Sequence, residues 1–361
     1  MAMFKKTVLV TGGAGFIGSH LVIGLVNQFP DYRIINLDKL DYVSNSKNLE
    51  AIENAPNYLF ILGDITEPIS MKNLFLSEKI DIVIHCAAKS HVENSFFNSL
   101  EFTRDNVLGT HVLLNAAYMF STVERFIHVS TDEVYGGKTD DATINYETSI
   151  RQPTNPYAAT KAAAECIVQS YFESFKFPVI VARMNNIYGP HQYPEKVIPK
   201  FIELLKRKRK CYLHGNGLQL RNFLYATDAT DALTLLMCRG KPGEVYNIGS
   251  EFEITMKDLA VFLVEKILHL DTEKAEEYLE YVNDRPFNDR RYTMNSNKMK
   301  LLGWEQKVTW EEGIEETIRW HEEHPDRWPC MEDILKPFSI APGYVDRHPK
   351  FHDRGQYRDI N

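Results

Sequence analysis

Short apolar runs recur through the first half of this chain, most of them leading into small or acidic residues and alternating with helical patterns. Thr7-Val8-Leu9-Val10-Thr11 is β-branched, apolar and followed by two glycines, which predicts a buried strand. Arg33 to Leu37, Tyr58 to Leu62, Asp81 to Ile84, Phe126 to Val129 and Val179 to Ala182 repeat the pattern. Between the first two, Ile17, Leu21 and Leu25 fall on one helical face. Strands that alternate with helices predict an α/β fold built on a doubly wound parallel sheet.

Past residue 185 the texture changes. Tyr188-Gly189-Pro190 and Pro194-Glu195-Lys196 punctuate a loop, Lys196 to Leu205 is helical in pattern, and Val245 to Gly249 is a short strand and turn. Trp304 to Trp320 reads as a turn and a terminal helix. The expected division is a nucleotide-binding domain over 1–185, with return segments from about 222–250. A smaller α/β substrate lobe covers 186–330, and a peripheral tail covers 331–361, irregular from about Ser339.

Glycines sharpen the first strand–helix junction. Gly12, Gly15 and Gly18 have the spacing of a dinucleotide fingerprint, with Phe16 and Ile17 opening the helix. Such glycines allow a tight turn and bring backbone N–H groups up to a pyrophosphate. The next strand ends in Asp38, twenty residues past Gly18, where a carboxylate accepts from ribose hydroxyls and repels a 2′-phosphate. NAD is therefore expected over NADP on a Rossmann-like sheet, with Lys39 beside the acid as the discordant residue. Ligands bind beyond the carboxyl ends of such strands. Gly15, Asp38, Asp64 with Ile65, Ala87 with Ala88, Thr131 and Asn186 all stand at such ends.

The net charge of −8 gives no general attraction to nucleic acid or an anionic membrane. The run Lys206 to Lys210 reads as a solvated helix end. Five cysteines without paired spacing fit reduced thiols, and His321 and His324 read as surface polar residues, so no metal is expected. The first residues lack a signal-peptide pattern and no apolar run approaches ~20 residues, so the cytoplasm is the expected location.

The chemistry concentrates in Ser130 to Lys161. Tyr157 and Lys161 are four apart and share a helix face. An ammonium roughly 5 Å from a phenol, at an effective dielectric of ~20, favours the phenolate by about 3 kcal/mol. Tyr157 could then take a proton from a sugar hydroxyl as hydride leaves for NAD. Asp132 and Glu133 follow Thr131 at the preceding strand end. Oxidising carbon 4 of a hexose acidifies the hydrogen on carbon 5, and the hydroxyl on carbon 6 can then leave as water. Two carboxyls serve those two transfers. Arg221, Arg285 and Arg291 are candidates for a diphosphate, because the guanidinium fork matches phosphate oxygens.

These motifs make the chain resemble the nucleotide-diphosphate-glucose 4,6-dehydratases of the extended short-chain dehydrogenase/reductases. The likeness spans roughly residues 5–330 and is carried by segments 11–18, 38–40, 90–92, 130–136, 153–157 with Lys161, 188–190, 194–196, 246–249 and 284–286. The resemblance implies Glu133 as base at carbon 5, Asp132 as acid at the leaving hydroxyl, Tyr157 as base at the 4-hydroxyl and Thr131 as donor to that oxygen. It adds Asn106 to the NAD set, and Ser90, His91, Asn186, Lys196, Arg221, Asn247 and Arg285 to the sugar and diphosphate set. Segments 287–289 and 309–313 look more like the plant UDP-glucose module than the bacterial dTDP-glucose enzymes, which tilts the expectation toward UDP-glucose. The family also implies a homodimer. A UDP-sugar 4-epimerase would share the fingerprint and the Tyr/Lys pair but would not need the two acids. A non-catalytic NAD-binding scaffold would be expected to lose one or more of these groups.

Overall fold

The computed structural model describes residues 4–120, 123–137 and 144–337. Of the expected peripheral tail over 331–361, only 331–337 lie within them, and Leu335 there is fully buried in a core rather than peripheral. The first half runs β1 (Lys6–Thr11), α1 (Phe16–Gln28), β2 (Tyr32–Asp38), β3 (Tyr58–Leu62), α2 (Pro68–Ser77) and β4 (Ile82–His85). It continues with α3 (Val92–Phe97), α4 (Ser99–Phe102), α5 (Gly109–Phe120), β5 (Arg125–Thr131), α6 (Pro156–Phe175) and β6 (Val179–Met184). The second half contains β7 (Asn186–Tyr188), α7 (Val197–Lys206), β8 (Cys211–His214), β9 (Leu220–Tyr225), α8 (Ala226–Arg239) and β10 (Val245–Ile248). Then follow β11 (Glu253–Thr255), α9 (Met256–Leu268), α10 (Thr272–Ala275), β12 (Leu279–Val282), α11 (Asn297–Leu302), α12 (Trp310–Glu323) and α13 (Met331–Ile334).

Seven strands form one sheet in the order β10-β6-β5-β4-β1-β2-β3, and each pairing in it is parallel. Side chains alternate across it with the period of a strand. Val8 and Val10 face a core shared with Leu21 and Leu25 of α1 and Leu233 and Leu236 of α8. Leu9 faces the opposite core, shared with Phe75 of α2, Leu113 of α5 and Val168 of α6. Helices thus cover both faces, which is why the strands are apolar throughout rather than half polar. The fold is the doubly wound α/β class expected from the sequence.

A third core gathers β7, β9, α7, α9 and α12 around Tyr188, Phe201, Phe223, Leu263 and Trp310. Its small sheet has the order β11-β9-β7, and β12 pairs with β8 beside it. β7 follows β6 after one residue, so both lobes meet where the central strands end. α12 begins with a capping box, in which Thr309 and Glu312 satisfy each other's backbone N–H groups.

The basic run and the two late histidines differ from their sequence reading. Glu203 of α7 is almost fully buried and draws in Lys206 and Arg207, while Arg209 pairs with Glu332. His321 is 1% exposed and its Nδ1 lies 2.8 Å from Glu203, and His324 stacks on Trp320. His321 is thus no surface residue, because a buried carboxylate on α7 claims it, whereas His324 is half-buried against an aromatic ring of α12.

Candidate active site

Two adjoining cavities open beyond the carboxyl ends of the central strands. The first is a cleft lined by Gly12, Gly15, Phe16, Ile17, Gly18, Asp38, Lys39, Ile65, Ala87 and Ala88 on one side. Thr131, Asp132, Glu133, Tyr157 and Lys161 close its inner end. At position 18 any side chain is excluded, since a Cβ there would stand 2.1 Å from the Gly12 carbonyl oxygen. α1 therefore starts tight against the turn. Gly15 caps it without a side-chain bond, which leaves the first N–H groups directed to a ligand.

Asp38 is fixed from three sides. Its carboxylate accepts from the backbone N–H of Ala14 and Leu40 and from the Ser44 hydroxyl, at 2.8–3.1 Å. Lys39 turns to Asp105 at 2.6 Å, with Asp41 and Asp64 within 4 Å, so its charge is already matched. This removes the discordance of a lysine beside the ribose carboxylate. Asp64 caps Thr66 and stands at the rim facing Lys39 and Arg104, flanked by cavity residues Gly63 and Ile65. The cleft fits NAD: an uncapped helix start for the pyrophosphate, a held carboxylate for the ribose and small residues at strand ends for a flat ring.

The reactive end is assembled by β5 and α6. Lys161, buried, donates to the Val129 carbonyl at 2.6 Å, and burial lowers its pKa to about 8. Tyr157 is bonded by Thr131. Its pKa is raised, chiefly by burial and next by the Glu133 charge. This corrects the expectation that Lys161 sets the phenol: burial and two carboxylates outweigh an ammonium that is directed at a backbone carbonyl. Asp132 is pushed up to about 7, mainly by burial, with Asn185 Nδ2 donating to it at 2.7 Å and the Glu133 charge raising it further. Glu133 is raised too, again by burial, although Asn155 Nδ2 donates to it at 2.9 Å.

The second cavity lies between α7, β8, β9 and the 285–292 segment. His91, Asn186, Lys196, Arg221 and Arg285 line it, together with Tyr212, His214, Phe223 and Tyr292. Glu133, Asn186 and Lys196 belong to both cavities, so the two join at the carboxylate. Arg221 and Arg285 both donate to Asn288 Oδ1, and Arg221 lies 4.9 Å over the Tyr292 ring. Lys196 donates to the Ser90 carbonyl, and Ser90 lines the cofactor cleft.

Three sequence candidates stand elsewhere. Arg291 is taken by Glu253 and lines neither cavity. Asn247, on β10, is fully buried, accepts from the Tyr135 hydroxyl at 2.7 Å and lines neither cavity, since it is part of the packing beneath the site. Asn106 is equally indirect. It clamps the Lys89 backbone through both amide atoms and donates to Thr160 on α6, so it holds the 87–90 loop rather than facing the cleft. Asn155 and Asn185, each holding one of the two acids, were missed by sequence reasoning. Asn before Pro at a helix start does signal a cap, and Asn155 Oδ1 accepts from Ala158 as one. Among the described residues no group of three or more His, Cys, Asp or Glu could hold a metal.

A glycine turn for a pyrophosphate and a buried Tyr/Lys pair at the far end of one cleft place the chain among the NAD-dependent extended short-chain dehydrogenase/reductases. The model of the GDP-mannose 4,6 dehydratase family matches residues 9–317, and the chain belongs to that family. It is similar to the dTDP-D-glucose 4,6-dehydratase of Mus musculus, 55% identical over 95% of this chain and 96% of that one. It is 46% identical, over 92% of its length, to a trifunctional Arabidopsis thaliana protein that contains a UDP-glucose 4,6-dehydratase, of which the match covers 49%. Among solved structures, DesIV, a dTDP-glucose 4,6-dehydratase from Streptomyces venezuelae with NAD bound, superposes with a TM-score of 0.85 at 35% identity. That match covers 90% of this chain and 99% of DesIV. The protein is an NAD-dependent enzyme of the hydro-lyase class.

Proposed function

We propose that the enzyme converts a nucleotide-diphosphate glucose to the 4-keto-6-deoxy sugar and water. The observation that carries this is Glu133, which lines both cavities beside a buried Asp132 poised near pH 7. Bound NAD would supply a reversible hydride acceptor, held by Gly12 to Gly18, Asp38 and the Ala87–Ala88 strand end. With the positive nicotinamide of bound NAD beside it to favour its phenolate, Tyr157 would take the proton of the 4-hydroxyl while Thr131 bonds the same oxygen. Glu133 removes the hydrogen of carbon 5 as a proton, and Asp132 protonates the 6-hydroxyl, which leaves as water. Glu133 then returns its proton to carbon 5 as carbon 6 is reduced. Asp132 recovers, through solvent, the proton that Tyr157 took, and no NADH is released.

A carboxyl that keeps its proton until about neutral pH suits general acid catalysis. Arg221, Arg285 and Lys196 supply the local positive charge that an acidic protein needs for a diphosphate. The base is uracil or thymine. Phe287 lines the second cavity and belongs to the segment that tilts the sequence toward UDP-glucose, whereas the more identical relative is named for the dTDP sugar. One methyl group is worth ~1–3 kcal/mol, so kcat/KM for the two sugars should differ by no more than about 200-fold. The test is incubation with each sugar: a 4-keto product lighter by one water supports the reading, and a galactose epimer contradicts it.

We also propose a homodimer in the cytoplasm. On α6, Ala159, Ala163, Cys166 and Ser170 are exposed in helical register, and Leu100, Leu108 and Met119 are exposed on helical segments that pack against α6. These small and apolar residues suit a second copy packing helix to helix. Light scattering should give twice the chain mass. Among the described residues no helix is long and apolar enough to cross a membrane.

A further inference from the structure

Asn155 makes two bonds with one amide group. Its Oδ1 accepts from the Ala158 N–H at 2.8 Å and caps α6, the helix that carries Tyr157 and Lys161. Its Nδ2 donates to Glu133 Oε2 at 2.9 Å. Asn155 is itself 6% exposed and lines the second cavity next to Glu133. Among the described residues it is the one side chain with a hydrogen bond to that carboxylate.

The frame around this amide is rigid. Thr131 caps the short turn that holds Glu133, and the turn ends at Gly136, whose φ of +74° admits glycine most readily. Gln152 N–H bonds the Val134 carbonyl, closing the turn onto the segment before α6. The neighbouring Thr154 hydroxyl reaches both oxygens of Asp289 at 2.8 Å, and Asp289 also accepts from the Gly137 N–H. Pro156 occupies the first turn of α6, where its missing N–H costs nothing. Asn155 is therefore held between Glu133 and the helix with little freedom to turn.

We infer that Asn155 is a positioning residue that couples the Tyr157–Lys161 helix to Glu133, so that the oxidation and elimination halves of the reaction share one geometry. This rests on the dehydration reading above. An amide is required because one side chain must accept from the helix and donate to the carboxylate at once. Serine can cap but its single hydroxyl hydrogen cannot replace the amide at that reach, and aspartate can cap but has no donor. The donor also favours ionised Glu133, against Asp289, Asp132 and burial, and alongside Arg221 and Lys196. Tyr157 faces it from α6.

The test compares Asn155→Ser and Asn155→Asp with the unaltered enzyme. Both keep the cap, so Asn155→Ser should melt close to the original, whereas Asn155→Asp, which sets a second carboxyl beside buried Glu133, should melt lower at neutral pH; in both, kcat falls ~10–100-fold with KM nearly unchanged. Enzyme-bound NADH should accumulate at 340 nm, because oxidation continues while elimination stalls. The acidic limb of kcat should move to higher pH, further for Asp than for Ser. Normal kcat, no accumulated NADH and an unmoved acidic limb in both variants would overturn the inference. Failure of the unaltered enzyme to form a 4-keto product would instead overturn the dehydration reading, so the two outcomes separate.

Discussion

Asp132 holds a proton that an ordinary aspartic acid has lost by pH 4. Its pKa rises from 3.8 to about 7, and the fold bears the cost. The penalty is absent below pH ~4, grows between 4 and 7 as the unfolded chain alone ionises, and is complete above 7, where it reaches about 4 kcal/mol. Asp132→Asn should therefore melt at a higher temperature than the original at pH 8, with the gap closing below pH 5. The same substitution and Glu133→Gln should each lower turnover by ~10²–10⁴-fold and leave NADH bound at 340 nm. Normal turnover in both would remove the acid–base assignment. At this scale the sequence was legible wherever the residue type itself does the chemistry, as for Tyr157, Lys161, Asp132 and Glu133. It was opaque for Asn155 and Asn185, which act through partners far away in the chain or across a turn, and for Asn247, whose motif neighbours place it near the site but whose side chain turns beneath it.

Elements carry the next level of constraint. α1 starts against the glycine turn so closely that Gly18→Ala must push the Gly12 carbonyl away. NAD affinity should fall at least tenfold, about 1.4 kcal/mol, measurable by fluorescence titration. α7 and α12 are joined by Glu203, which holds His321, Lys206 and Arg207. Glu203→Ala leaves those donors without their carboxylate and should cost about 3 kcal/mol in a urea titration. Its pKa is lowered to about 2, with burial opposed by bonds to His321 and Arg207. The stability it gives is thus present above pH ~4.5 and lost as pH falls toward 2. Strand positions were readable because an apolar run of four to six residues has little else to be in an alternating chain. The joint between α7 and α12 was not, because His321 looks solvated until a buried glutamate 118 residues away is placed beside it.

The whole molecule divides its work between two lobes that meet at the end of β6, and the Glu133 carboxylate lies where their cavities join. One cavity fits a dinucleotide and the other a charged, partly aromatic ligand, so a sugar linking the two ends would lie against Tyr157, Asp132 and Glu133. In the proposed reaction hydride leaves carbon 4, returns to carbon 6 of the same sugar, and water departs between the two steps. A nucleotide-diphosphate glucose carrying deuterium at carbon 4 tests it in a single turnover in ordinary water. The expected result is a 4-keto-6-deoxy product that has lost one water and carries the deuterium at carbon 6, with no free NADH. Deuterium retained at carbon 4 of an epimer, or released as labelled NADH, would contradict it.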